Sequence, residues 1–407
     1  MKKLLLLFLP VMFLPGLLIS QETEQTSVTL SGYVRYEMFF DTYESAATRD
    51  GEVYLYPLPE NLDINGDDIN NNFKLNMLGL QSRTRLTAVG PDAFGAKVTG
   101  VIEGDFLGIS QADTRQFRLR HGFLKLKWDN ADLLMGQTWH PMFVPECFPA
   151  TVSMGAGVPF HVLNRTPQVR YTAKLGSSMS IMGALLVHGY HKSVGPAEAQ
   201  RNSGLPDAQF QFKFKSENVF ASFTAGYKWL TPRLVTGDTI KTNETIGSFN
   251  LAVNTKLSFG PVTFKVEGIY GQNLTNFVMI GGYGAAENPL TVDDYSYSNI
   301  NTMSIWSDLA YNSKSIEVAL FGGFSSNVNA SDDYYSIGYT RGENIKSIFR
   351  VSPRVVIKSG KVDFGIEYMM TGAKYGVVDL ADARYRFTET DAYTINGRMI
   401  FSARYKF

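Results

Sequence analysis

The last fifteen residues of the chain alternate so regularly that few folds remain open to it. From Tyr393 onward the odd positions read Tyr393, Ile395, Gly397, Met399, Phe401, Ala403, Tyr405 and Phe407. The even positions between them read Thr394, Asn396, Arg398, Ile400, Ser402, Arg404 and Lys406. Successive side chains of a strand point to opposite faces, so one face is apolar and aromatic and the other almost wholly polar. Strands of soluble proteins run to about five or six residues, whereas a tilted strand with lipid on one side and a wet lumen on the other sustains the alternation for longer.

The pattern recurs. Phe210, Phe212 and Phe214 alternate with Gln209, Gln211, Lys213 and Lys215, and Leu30, Val34, Tyr36, Met38 and Phe40 alternate with Ser31, Arg35, Glu37 and Asp41. Such segments predict about sixteen strands, over 27–43, 71–89, 95–106, 115–128, 132–138, 164–175, 178–191, 206–216, 219–230, 246–258, 262–275, 300–312, 315–327, 345–358, 361–374 and 391–407. An even number places both ends of the chain on one side of the bilayer. Tight turns at 90–95, 129–131, 176–178, 217–218, 260–261, 312–314 and 359–360 separate long polar connectors at 44–70, 192–205, 231–245, 276–299, 328–344 and 375–390. The fold class expected is all-β, a transmembrane antiparallel β-barrel with periplasmic turns and extracellular loops.

The N-terminus fits export. Lys2 and Lys3 precede an apolar run broken by Pro10 and Pro15, and Ser20 offers a small residue for cleavage, which predicts a signal peptide over 1–20 and a barrel over 21–407 in the outer membrane of a Gram-negative bacterium. A single cysteine, Cys147, excludes an intramolecular disulfide framework. Lys and Arg (38) balance Asp and Glu (38), and no basic run with interleaved aromatics points to nucleic acid. The partners expected are membrane lipid and small polar or anionic solutes.

Residues for catalysis do not gather. Of His121, His140, His161, His188 and His191, only His188 and His191 are close in sequence, and on a strand they would face opposite ways. No Gly-x-Ser-x-Gly elbow or phosphate-cradling glycine loop occurs. The acidic stretch 63–70 offers oxygen ligands but misplaces its glycine and lacks the closing Glu of a calcium loop, with Lys74 there instead, and reads as a solvated loop. No catalytic residue, metal or cofactor is expected. The rival classes are a barrel lipase or protease and a closed structural or adhesive barrel.

The polar phase places Arg35, Arg83, Arg85, Arg118, Arg120, Arg170, Arg398 and Arg404 in the lumen, with Glu37, Glu103, Asp105, Glu267, Glu317 and Glu367 also inside. Two readings stand side by side: a basic wall opposite acidic groups that favours anions and carboxylates, or salt bridges that hold the barrel round. Leu124 and Leu126 share the parity of Arg120, which predicts a β-bulge near Gly122. Between Trp139 and Asn164 the alternation gives way to an apolar, proline-rich segment poorly suited to open water. It is expected to fold inward as a constriction loop over 139–163, or to cap a subunit interface.

Gly104-Asp105-Phe106, Phe117-Arg118-Leu119-Arg120-His121-Gly122-Phe123, Met135-Gly136-Gln137-Thr138-Trp139 and Arg165-Thr166-Pro167-Gln168-Val169-Arg170-Tyr171 together resemble the DcaP-like outer-membrane porins. The resemblance covers residues 100–175; elsewhere the agreement is one of strand rhythm and length. It implies a trimeric barrel whose basic constriction passes small anions such as dicarboxylates.

Overall fold

The computed structural model describes residues 26–407 apart from 237–238, 288–294, 331–336, 343 and 380–385; the expected signal peptide over 1–20 lies outside the described residues. Sixteen antiparallel strands close into a barrel. They are β1 (Ser27–Asp41), β2 (in two runs, Lys74–Leu78 and Arg83–Val89), β3 (Lys97–Asp105), β4 (Arg118–Lys127), β5 (Ala131–Trp139), β6 (Arg165–Leu175), β7 (Met179–Leu186) and β8 (Asp207–Lys215). The second half comprises β9 (Val219–Leu230), β10 (Ile246–Phe259), β11 (Val262–Gln272), β12 (Tyr295–Asn312), β13 (Ile316–Ala330), β14 (Ile345–Ser359), β15 (Val362–Asp379) and β16 (Arg386–Lys406). Each strand pairs with its neighbours in sequence, and β1 closes the ring on β16, with Tyr33 opposite Lys406 and Asp41 opposite Arg398. Closure removes the unpaired edges that no open sheet could leave in hydrocarbon.

Alternation is realised as a lipid belt and a polar lumen. Leu30, Val34 and Tyr36 on β1, Phe210 on β8 and Ile305 and Leu309 on β12 are exposed on the outside, while Arg35, Glu37, Gln209, Gln211, Ser304 and Asp308 between them are buried. The wall is uneven in height. β3 to β8 have 8 to 11 residues each, whereas β12 to β16 have 15 to 21.

The predicted bulge is present, displaced by two residues. Glu103 pairs with His121 and Gly104 with Leu119, so Arg120 is the extra residue of β4. The bulge lets Arg118, Arg120 and His121 all point inward despite their mixed parity. β7 stops at Leu186, five residues before the predicted end, so His188 and His191 are buried loop residues and not the opposed pair that a strand would make.

The segment after β5 folds into the lumen. Its residues Met142, Phe143, Val144, Cys147, Val158, Phe160 and Val162 are buried and form one apolar cluster with wall residues such as Trp306 and Phe321. Each such side chain contributes about 1.5–3 kcal/mol as an upper bound. Close approach is permitted by glycines on the wall: a Cβ at Gly323 would lie 2.6 Å from Phe160, and one at Gly365 would lie 2.9 Å from Val152.

Two more segments that polarity assigns to outer loops also turn inward. Within 44–70, the hairpin Ser45–Thr48 with Val53–Pro57 is seated in the barrel, and Val53, Leu55 and Tyr56 join the same cluster. Within 276–299, Phe277, Met279 and Ile280 do likewise. The runs Val53-Tyr54-Leu55-Tyr56 and Phe277-Val278-Met279-Ile280 are the signal, since four consecutive apolar residues cannot stay in open solvent.

Candidate functional site: a basic wall facing an apolar loop

The inward loop fills one side of the lumen and leaves a cavity of about 630 Å³ against the other. Eight cationic side chains line it (Arg35, Arg83, Arg85, Arg120, Arg165, Lys358, Arg404 and Lys406) against three carboxylates, Glu103, Glu317 and Asp363. The loop contributes Phe143, Pro145 and 148–156, none of them charged. Of the two arrangements left open by the sequence, Glu103 follows the salt-bridged one: it sits among the arginines in the same wall, and the facing surface is the apolar loop.

Strand register explains this. Arg83 pairs with Asp105 and Arg85 with Glu103 across β2 and β3, and Asp105 pairs with Arg118 across β3 and β4. Glu103 and Asp105 thus stand between arginines on both flanks. Arg118 grips Asp105 with two hydrogen bonds of 2.6 and 3.2 Å. Arg120 donates to Glu103 at 2.8 Å and to Asp105 at 2.9 Å, and Arg85 reaches Glu103 at 3.3 Å. Four guanidinium groups share two carboxylates, so the cluster keeps a surplus of positive charge while each buried carboxylate is satisfied.

Arg165, at the start of β6, was quoted only within the family resemblance and not assigned to the lumen. It is buried, donates to the Tyr190 hydroxyl through Nε at 3.0 Å and Nη2 at 2.8 Å, and lies 4.7 Å from the centre of the Trp139 ring. Its Nη1 has no hydrogen-bond partner. Burial opposes ionisation of Tyr190, but Arg165 and Arg118 outweigh it and lower the phenol pKa. Trp139 is itself held flat by Phe143 of the loop, ring on ring at 3.8 Å.

Four of the expected residues, Arg398, Arg170, Arg118 and Asp105, lie outside the lining of this cavity. Arg398 is clamped to Asp41 at 2.7 Å and to the carbonyl of Gly51 at 2.7 Å, and lines a second cavity of about 520 Å³ by the inserted hairpin. Arg170 donates to Gln168 at 2.9 Å and to the Trp139 carbonyl at 2.5 Å, outside the cavity lining. Arg118 and Asp105 stand behind the lining, whereas Arg35 lines the cavity, donating to Glu37 at 2.6 Å and to the Val152 carbonyl.

The opposite wall serves the loop. Gln211 donates to the Pro141 carbonyl at 2.8 Å, Lys265 to Phe148 at 2.8 Å, Arg350 to Val158 at 2.7 Å and Ser304 to Phe160 at 2.9 Å. An irregular segment in a dry interior must find partners for its carbonyls, and the lumen side chains supply them. Glu267 accepts from His161 Nδ1 and Trp306 Nε1, both at 2.5 Å, and from Asn254 at 2.6 Å. His140 bonds to Asp207 at 3.3 Å. Among the described residues no group of three or more His, Cys, Asp or Glu could hold a metal ion.

No family model and no curated protein matches the chain. Solved structures do. The outer membrane channel DcaP of Acinetobacter baumannii superposes with a TM-score of 0.67 at 17% identity, over 96% of this chain and 99% of that one. OmpT of Vibrio cholerae in its trimer form follows at 0.58 and 12%, over 94% and 99% of the chains. An anion-selective porin from Comamonas acidovorans gives 0.56 and 12%, over 94% and 100%. At these identities the likeness is one of fold, and the fold is that of outer-membrane porins.

Proposed function

We propose that this chain is a passive porin of the Gram-negative outer membrane, a diffusion channel for small polar solutes that favours anions and carboxylates and assembles as a homotrimer. The observation that carries the reading is the cavity wall, with eight cations against three carboxylates beside loop residues that carry no charge. In a narrow passage with low-dielectric walls, such a surplus lowers the barrier for anions and raises it for cations. Guanidinium stays charged at any working pH and presents a fork that matches a carboxylate. The fold likeness to a porin described as anion-selective and to a barrel described in a trimer form supports the same reading.

An enzyme would need a nucleophile and base in contact with solvent. His140 and His161 are instead fully buried, each against one carboxylate that ties the loop to the wall. Proteoliposome swelling tests the proposal: a small dicarboxylate should enter several-fold faster than a neutral sugar of similar size. Equal rates would refute the preference, and no swelling with any solute would refute the channel.

A further inference from the structure

The tip of the inserted hairpin, residues 49–52, stands between the two cavities. Arg35 and Gln81 on one side of it line the first, of about 630 Å³, and Asp41, Asp50, Gly51 and Arg398 on the other line the second, of about 520 Å³. The tip is held by side chains: Arg398 Nη1 donates to Gly51 O at 2.7 Å, Gln81 Nε2 to Glu52 Oε2 at 3.2 Å, and Arg49 Nη2 reaches out to Ile109 O at 2.8 Å. Arg49 and Asp50 have φ of 59° and 55°, in the left-handed region that favours glycine, so the docked tip carries backbone strain. At its end Glu52 meets Glu37 of β1, carboxyl to carboxyl. Both residues are buried, and Oε1 of Glu52 and Oε2 of Glu37 have no hydrogen-bond donor.

Two carboxylates in contact in a dry site repel each other, and one proton between them turns that repulsion into a hydrogen bond. The surrounding cations do not replace the proton. Arg35 donates to Glu37 at 2.6 Å but also to the Val152 carbonyl, Arg398 is clamped to Asp41 at 2.7 Å, Arg49 donates to Ile109 O, and Arg115 is paired with Asp50 at 2.7 Å. We infer that Glu37 and Glu52 share one proton as a latch, and that its loss as the pH rises releases the strained tip and joins the two cavities; the inference rests on the channel reading above. Burial and the neighbouring Glu37 carboxyl raise the pKa of Glu52 well above the usual carboxyl range, so the proton is retained at neutral pH. The docked tip is stabilised below that pKa and loses the stabilisation as the pH rises through it.

The test is the single-channel conductance of the full-length protein in a planar bilayer at fixed salt, followed from about pH 6 to about pH 9, the range that buried carboxyls reach. Wild type should step up by about 1.5- to 2-fold as the second cavity joins the first. Glu52→Gln puts a permanent amide donor against Glu37 and should hold the low conductance at every pH, and Glu37→Gln, which supplies the same donor from the wall, should do likewise. Wild type whose conductance does not change with pH, or Gln variants that rise with pH as wild type does, would overturn the latch while leaving the channel reading in place. No conductance steps at any pH would overturn the channel reading itself.

Discussion

The two sides of the lumen share one sequence pattern and use it differently. On β2, β3 and β4 the inward phase puts Arg83, Arg85, Glu103 and Arg120 on an open cavity, with Asp105 and Arg118 behind them. On β8 to β12 it is mostly amide and hydroxyl, with Gln209, Gln211, Thr224, Asn250, Asn254 and Ser304, and borders a packed loop. A surplus of cations borders the cavity, whereas on the packed side loop carbonyls are met by side-chain donors, neutral from Gln211 and Ser304 and cationic from Lys265. A polar face of a barrel strand therefore signals the lumen, and a cluster of arginines along neighbouring strands signals the part that stays open.

The largest contrast should come from charge removed on the packed side. Glu267→Leu leaves His161, Trp306 and Asn254 without their common acceptor in a dry interior and should cost about 3–5 kcal/mol, read as a lower unfolding temperature of the purified barrel. A variant as stable as wild type would mean that water reaches this site and that the two sides do not differ.

A matched pair of serines sharpens the point. Ser304→Ala removes the donor to Phe160 O and should cost about 1–2 kcal/mol, whereas Ser402→Ala, in the cavity lining, should cost less than about 0.5 kcal/mol. Equal losses in denaturant unfolding would erase the distinction. Cys147 reports on dryness: it donates to Thr255 O at 3.3 Å, and burial pushes its thiol pKa up to about 12. Thiolate is scarce until the pH rises to that value, so a maleimide at pH 8 should label the folded protein about a thousandfold more slowly than the unfolded chain. Rapid labelling of folded protein would place Cys147 in water. The smallest effect is expected of Lys213→Ala, which breaks a partly exposed pair with Glu146 at 2.9 Å and should change stability by less than about 0.5 kcal/mol.

Most of the barrel was legible in the sequence because period-2 alternation is a direct consequence of strand geometry. Sixteen spans were expected and sixteen strands close the ring, and the proline-rich stretch from Trp139 does turn inward. What alternation could not disclose is register. That Glu103 and Asp105 are flanked by arginines on both sides, and are not opposed to them across the pore, depends on the pairing of β2, β3 and β4 and on an extra residue at Arg120. The inserted hairpin was missed for another reason: its loop is polar overall, and four buried residues from Val53 were averaged into an acidic surrounding. Arg165 escaped because it follows the irregular segment, where phase cannot be carried across from β5.

The central claim is that surplus guanidinium charge on the cavity wall selects the solute. Arg83 and Arg85 are the informative pair, since both line the cavity and both are partly exposed, while Arg118 and Arg120 are bound tightly enough to Asp105 and Glu103 that their loss would disturb the wall. The direct measurement is the reversal potential of single channels in a planar bilayer under a salt gradient at low ionic strength, where the field is least screened. The account predicts an anion-selective wild type and a shift toward cations in Arg83→Ala/Arg85→Ala with conductance preserved. A cation-selective wild type, or a double variant whose reversal potential does not move, would contradict it.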